Sequence, residues 1–205
     1  MTRFSSLTLI ELLDAFAASE PTPAGGSASA LAAATGASLL IMAATLPKTR
    51  SGAADEAADL AAAAVRLRPI RDALVGLIDR DAEAYAGVIV AFRSTKGMAD
   101  DERRHTVAAA MQIATEAPLE TMRESARALH EAAVVARSCS RAAAGDVGAA
   151  VELLLAAMRG AGGSVDANLA ALKDSEYVDR IGAERRLLED QSVADGHRAR
   201  AALQG

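Results

Sequence analysis

Asp79, Asp81 and Glu83 crowd together just ahead of Tyr85, and their spacing sets Asp81 and Tyr85 one helical turn apart on one face. An acid on a helix that also carries core residues can be partly desolvated, which raises its pKa toward general acid–base use. The same run also reads as a solvated acidic face paired with Arg80, the common fate of charge runs. Arg93, Lys96, Arg103 and Arg104 follow as a basic cluster that either meets an anionic substrate or keeps an exposed loop soluble. Asp146 comes after small residues at a helix start, as an N-cap or as a carboxylate aimed into a cleft. Asn168 lies in an apolar stretch, where a buried amide either ties helices together or reads a polar ligand.

Ahead of these residues runs Pro21-Thr22-Pro23-Ala24-Gly25-Gly26-Ser27. The prolines favour extended backbone before them, and Gly25 and Gly26 open conformations closed to other residues. Ser27 stands where an N-cap is expected, before an Ala/Leu-rich helix. Such a turn suits an anion or a polar ligand edge, and it is equally ordinary punctuation before a helix. Neither a P-loop nor a dinucleotide pattern is present.

Other chemistries find less support. Glu102-x-x-His105 resembles half of a di-iron carboxylate site, but no second Glu-x-x-His exists. The three histidines, His105, His130 and His197, show no metal-ligand spacing, so no metal is expected. The single cysteine, Cys139, reads as a core residue and cannot form an internal disulfide.

The elements that must position these residues are all helical. Thr8 with Glu11 forms a capping box, and Leu9, Leu12, Leu13 and Phe16 share one face of a first helix ending near Ser19. A second helix runs from about Ser27 to Leu46 and stops at Pro47. A long pattern covers Ala53 to about Arg93, with Pro69 expected to kink or divide it. A loop broken at Gly97 precedes a helix capped by Asp100 or Asp101, and Pro118 begins or bends its continuation to about Cys139. Another helix opens at 143–146, and Gly160, Gly162 and Gly163 loosen it or mark a tight crossing. A polar segment after Ser175 forms the last helix. The reading is all-α, an antiparallel bundle of long, partly kinked helices, in a single domain over 1–205.

Half of the residues are hydrophobic, yet aromatics are 2% and Trp is absent, so alanine carries much of the packing. A net charge of −5 argues against a nucleic-acid binder. The N-terminus lacks the marks of a signal peptide, and the apolar run Ala28 to Leu46 reads as a buried helix, so no membrane association and a cytoplasmic location are expected.

The ordered set Pro23-Ala24-Gly25-Gly26-Ser27, Asp81-Ala82-Glu83-Ala84-Tyr85, Ala91-Phe92-Arg93-Ser94-Thr95-Lys96, Ala117-Pro118-Leu119, Gly145-Asp146-Val147-Gly148-Ala149 and Asn168-Leu169 resembles the cyclodeaminase/methenyltetrahydrofolate cyclohydrolase family over about Leu7 to Asp174. That family includes the C-terminal domain of formiminotransferase-cyclodeaminase and stand-alone bacterial cyclohydrolases. The resemblance implies an all-helical homodimer with a tetrahydrofolate derivative as its small-molecule substrate. Asp81, Lys96 and Asp146 are then the implied catalytic residues, with Gly25, Gly26, Ser27, Tyr85, Arg93 and Asn168 around the substrate. Lys48, Arg50, Arg93 or Arg103 would meet the anionic folate tail. The chain departs from the family at Ala24, Thr95, Ser140 and Gly145, where a glycine, a proline, an asparagine and a serine are usual. The implied reaction is hydrolysis of 5,10-methenyltetrahydrofolate to 10-formyltetrahydrofolate. Formimidoyltetrahydrofolate cyclodeamination with ammonia release is the alternative, and a non-catalytic helical ligand-binding or interaction protein is the alternative of another class.

Overall fold

The first helix starts at the capping box that the sequence predicts: the Thr8 hydroxyl accepts the Glu11 N–H, and the Glu11 carboxylate accepts the Thr8 N–H. The computed structural model describes residues 3–204. After a 3₁₀ turn at Phe4–Ser6 come α1 (Leu9–Ala17), α2 (Gly25–Thr45), α3 (Ala54–Ser94), α4 (Asp100–Ser138), α5 (Ala144–Ala170) and α6 (Ser175–Gln204). A second 3₁₀ turn, Arg141–Ala143, joins α4 to α5. Among the described residues there is no strand, only one isolated β-bridge between Thr49 and Cys139.

The five long helices alternate in direction. Ser27 of α2 meets Asp81 of α3, and Arg66 of α3 forms a two-pronged ion pair with Glu131 of α4 at 2.7 and 2.8 Å. Asn168 of α5 reaches Ala114 of α4, and Gly36 of α2 backs onto Ala150 of α5. Arg200 of α6 pairs with Glu152 of α5. Each pairing sets its two helices antiparallel. Arg123–Glu184 and His130–Asp195 instead set α4 and α6 parallel, both flanking α5.

Alanine lets these helices lie close. More than half of the largest core cluster is alanine, interleaved with Leu40, Leu67, Leu74, Leu77 and Leu154, each essentially fully buried. A smaller cluster, including Leu119, Met122, Met158 and Ile181, joins α4, α5 and α6. Helix α2 has the length and hydropathy of a membrane span, but half of its apolar window is buried among its neighbours. The crossing of α2 with α5 is tight at Gly160, where any side chain would overlap Ser29. The glycine run in α5 therefore marks a close approach, and the helix continues through it.

Two cap expectations are corrected, and one alternative for each proline is removed. Neither proline divides its helix: Pro69 lies inside α3 and Pro118 inside α4. Pro69 frees the carbonyl of Val65, an exposed residue, and Pro118 frees that of Ala114, which the Asn168 amide fills at 3.1 Å. The N-cap of α2 is Ala24, not Ser27, so the helix begins two residues early. Asp100, Asp101 and Glu102 occupy the first turn of α4 behind an Ala99 cap, where carboxylates still favour the helix dipole. The break at Gly97 is observed, with φ +94, a conformation that suits glycine.

Arg50 serves structure. Its backbone N–H donates to Ser138, Nε to the Cys139 carbonyl at 3.2 Å and Nη2 to Ala136 at 2.9 Å. These bonds fill the carbonyls left open at the end of α4. Arg50 and Lys48 follow the C-terminus of α2, about 27 Å along that helix from Ser27 at 1.5 Å per residue.

Candidate active site

Asp81 reaches from α3 to the N-terminus of α2. Its Oδ2 lies 3.0 Å from Ser27 Oγ, and that hydroxyl lies 2.9 Å from the Ile78 carbonyl oxygen one turn before Asp81. Gly26 forms the floor beneath the carboxyl group. A β-carbon there would overlap Oδ1 and would stand 2.5 Å from Cγ and 2.6 Å from Oδ2, so only glycine admits the carboxyl. Ala24 supplies no side-chain cap, and Asp81 stands where one would, beside the open N–H groups of the first turn.

Burial pushes the Asp81 carboxyl above its ordinary range, and the Ser27 hydroxyl and amide pull against that rise. No charged side chain contributes to the balance. Asp81 is half-buried, so it keeps access to the outside while Ser27 and Gly26 behind it are closed off. The carboxyl is thus oriented, partly desolvated and reachable, which suits a group that takes and returns a proton.

The other acids of the run behave differently. Asp79 accepts the backbone N–H and the hydroxyl of Ser5, tying the N-terminal turn to α3. Glu83 is exposed, and Tyr85 lies one turn beyond Asp81 with a 44% exposed side chain. Gly25 is exposed, its carbonyl accepting the Ser29 hydroxyl at 2.8 Å.

Within one chain, the remaining predicted residues lie away from Asp81. Arg93 is exposed twelve residues further along α3, about 18 Å away, and Lys96 lies beyond the helix end. Asp146 is exposed in the first turn of α5, and Ala143 holds the cap position instead. Because Ser29 faces Gly160 and Gly36 faces Ala150, Asp146 falls level with about residue 40 of α2, roughly 20 Å from Ser27. Lys96 therefore does not orient Asp81 within its own subunit.

Asn168 is a tie between helices: its amide completes the ladder that Pro118 interrupts, and its half-buried side chain points at Ala114. Asn168→Ala should lower stability by about 1–3 kcal/mol, the cost of an orphaned carbonyl, and leave substrate affinity nearly unchanged. Urea melts beside KM values check this; a KM rise without loss of stability would return Asn168 to the substrate.

Of the departures noted above, Thr95 is fully buried and its hydroxyl donates to Ala91 at 2.7 Å, closing the end of α3. Sequence reading missed a cavity of about 830 Å³ where the start of α4 meets the turn between α5 and α6. Phe92, Arg103, Arg104, His105, Gln112 and Lys173 are among its walls. Arg104 is paired with Asp101 there, and the basic cluster in the sequence was the signal for it.

The family model described as formiminotransferase-cyclodeaminase matches residues 8–187. A methenyltetrahydrofolate cyclohydrolase of Methylorubrum extorquens is 31% identical over 184 residues, covering 89% of this chain and 86% of that protein. Among solved structures, formiminotetrahydrofolate cyclodeaminase from Thermotoga maritima superposes with a TM-score of 0.87 at 22% identity, covering 98% of this chain and 97% of that one. That last likeness establishes the all-helical fold.

Proposed function

Since the chain belongs to the formiminotransferase-cyclodeaminase family, we propose that it hydrolyses 5,10-methenyltetrahydrofolate to 10-formyltetrahydrofolate, with Asp81 as the acid–base group. It is an enzyme of folate one-carbon chemistry, of the cyclohydrolase and cyclodeaminase type. One observation carries the assignment of Asp81: its partly buried carboxyl is fixed on the Gly26 floor at the start of α2.

The bridging carbon of the substrate is an electrophilic amidinium. Water adds to it as Asp81 takes one proton, giving a neutral carbinolamine. The hydroxyl proton then leaves to solvent, Asp81 returns its proton to N5, and the C–N5 bond breaks. The balance is one water consumed and one proton released. A carboxyl raised by burial is suited to both transfers, and such help is worth roughly 10²–10⁴-fold. The anionic tail of the folate requires positive charge; Arg103 and Lys173 at the cavity are the candidates, beside Asp100 and Asp174, with Arg104 already paired to Asp101.

The alternative reaction uses the same acid: N10 attacks the formimino carbon on N5, and ammonia leaves with a proton from Asp81. The 31% identity to a cyclohydrolase favours hydrolysis. Decay of methenyltetrahydrofolate absorbance above the buffer rate supports hydrolysis. Ammonia release from formimidoyltetrahydrofolate without that decay would replace it with deamination.

The homodimer belongs to the same proposal. Leu9, Ile10 and Leu13 of α1 are 67%, 72% and 53% exposed, and only Leu12 of that helix is buried. A nine-residue helix is marginal without packing, and a second copy would cover this face. Sedimentation at micromolar concentration should give twice the 21.0 kDa chain mass, and a monomer would refute the pairing.

A further inference from the structure

We infer that Ser27 is a positioning residue that turns its single hydroxyl proton between Asp81 and the Ile78 carbonyl, keeping the carboxyl in one place through both of its protonation states. The inference rests on the reading of Asp81 as the acid–base group.

Ser27 Oγ has two oxygen neighbours, Asp81 Oδ2 at 3.0 Å and the Ile78 carbonyl at 2.9 Å, and one proton. It can donate to one of them at a time. When Asp81 is a carboxylate, the hydroxyl donates to it in a charge-assisted bond. The Ile78 carbonyl is not orphaned then, because it lies inside α3 and accepts the backbone N–H four residues on. When Asp81 carries a proton, the carboxylic acid donates to Ser27 Oγ and the hydroxyl rotates to donate to Ile78. Every group is satisfied in both states, and only a hydrogen moves.

The surroundings keep this arrangement simple. Ser27 is fully buried, so it serves through Asp81 and does not touch a ligand. No side chain between Gly25 and Thr45 of α2 is ionisable. On the neighbouring elements, Asp79 is engaged by Ser5, Glu116 and Glu120 by Arg123, and Asp166 by Arg185. Arg80 and Glu83 on α3, and Asp14 and Glu20 before α2, do not perturb the Asp81 carboxyl.

A residue that only donated to the carboxylate would hold the Asp81 pKa down, and its removal would raise that pKa. Removing a residue that serves both states raises it less. Ser27→Ala takes one charge-assisted bond from the carboxylate and two neutral bonds from the acid, and a charge-assisted bond is roughly twice as strong as a neutral one. The losses from the acid offset part of the loss from the carboxylate, so the pKa should rise, as loss of the hydroxyl's downward pull requires, but by less than about one unit. Turnover should still fall, because the carboxyl is no longer held in place. We expect kcat to drop about ten- to a hundredfold with KM within about twofold, part of the general acid–base contribution. Ser27→Thr keeps a hydroxyl and should recover most of the loss.

The test is a ¹³C titration of the Asp81 carboxyl in the free, full-length protein, assigned by the resonance missing in Asp81→Asn, for wild type and Ser27→Ala. It needs no substrate, so it stands apart from the question of which folate is turned over. A rise of less than about one unit, with the kcat loss, bears the inference out. A fall, or a rise of more than about one unit, overturns it, as does unchanged kcat in an enzyme that hydrolyses the folate.

Discussion

Gly26→Ala should fold and lose at least about a hundredfold in kcat, the scale of a displaced acid–base group. The new methyl would stand 2.5 Å from Asp81 Cγ and 2.6 Å from Oδ2, well inside van der Waals contact. Backbone on both sides is helical, so the carboxyl must be what gives way, swinging out of the start of α2 and off Ser27. Stability should change little: alanine gains about 0.5–1 kcal/mol over glycine within a helix, and a half-buried Asp81 has room to turn outward. Gly25→Ala is the matched control, since its β-carbon would meet nothing within 4 Å. Comparing the two by kcat and melting temperature isolates the contact with Asp81 from the flexibility of the turn. Equal activity in both variants would mean that the position of the Asp81 carboxyl does not govern turnover.

Asp81→Asn removes the proton-accepting group with almost no change of shape. Its kcat should fall roughly 10²–10⁴-fold. The variant also has a stability signature that needs no substrate. The ordinary value for this carboxyl is 3.8, and burial raises it in the folded protein, so between those two values the folded state binds more protons than the unfolded one. The Asp81 contribution to wild-type stability therefore falls as pH rises from about 3.8 through the folded-state pKa and is level above it. Asparagine has no such term. Urea midpoints of wild type and variant should diverge in favour of the variant as pH rises through that window. Divergence in the opposite sense would mean that the carboxylate form is the one the fold stabilises.

Local signals were legible wherever neighbours in sequence are neighbours in space. The Thr8–Glu11 box, the break at Gly97 and the long apolar periodicities place the helices within a few residues. The start of α2 was misread because Ser27 has the side chain of a cap, while its hydroxyl is used 51 and 54 residues away, on Ile78 and Asp81. No local pattern encodes that partner. The same holds for Asn168: its acceptor is open only because Pro118 removed the helical donor to Ala114, a link between two helices that neither sequence window contains. The glycine pair and Asp81 were each visible as candidates, and the overlap that makes Gly26 indispensable appears only when α2 and α3 pack. Lys96 and Asp146 share a motif order with Asp81 but lie toward opposite ends of the same subunit from it, a separation that no sequence window shows.

The most direct test of the central claim follows methenyltetrahydrofolate absorbance with equal concentrations of wild type and Asp81→Asn, over a range of pH and against the buffer-only decay. The account predicts acceleration by wild type and a rate near background for the variant at every pH. Equal acceleration by both proteins would contradict the assignment of Asp81, and no acceleration by wild type would contradict the hydrolysis itself.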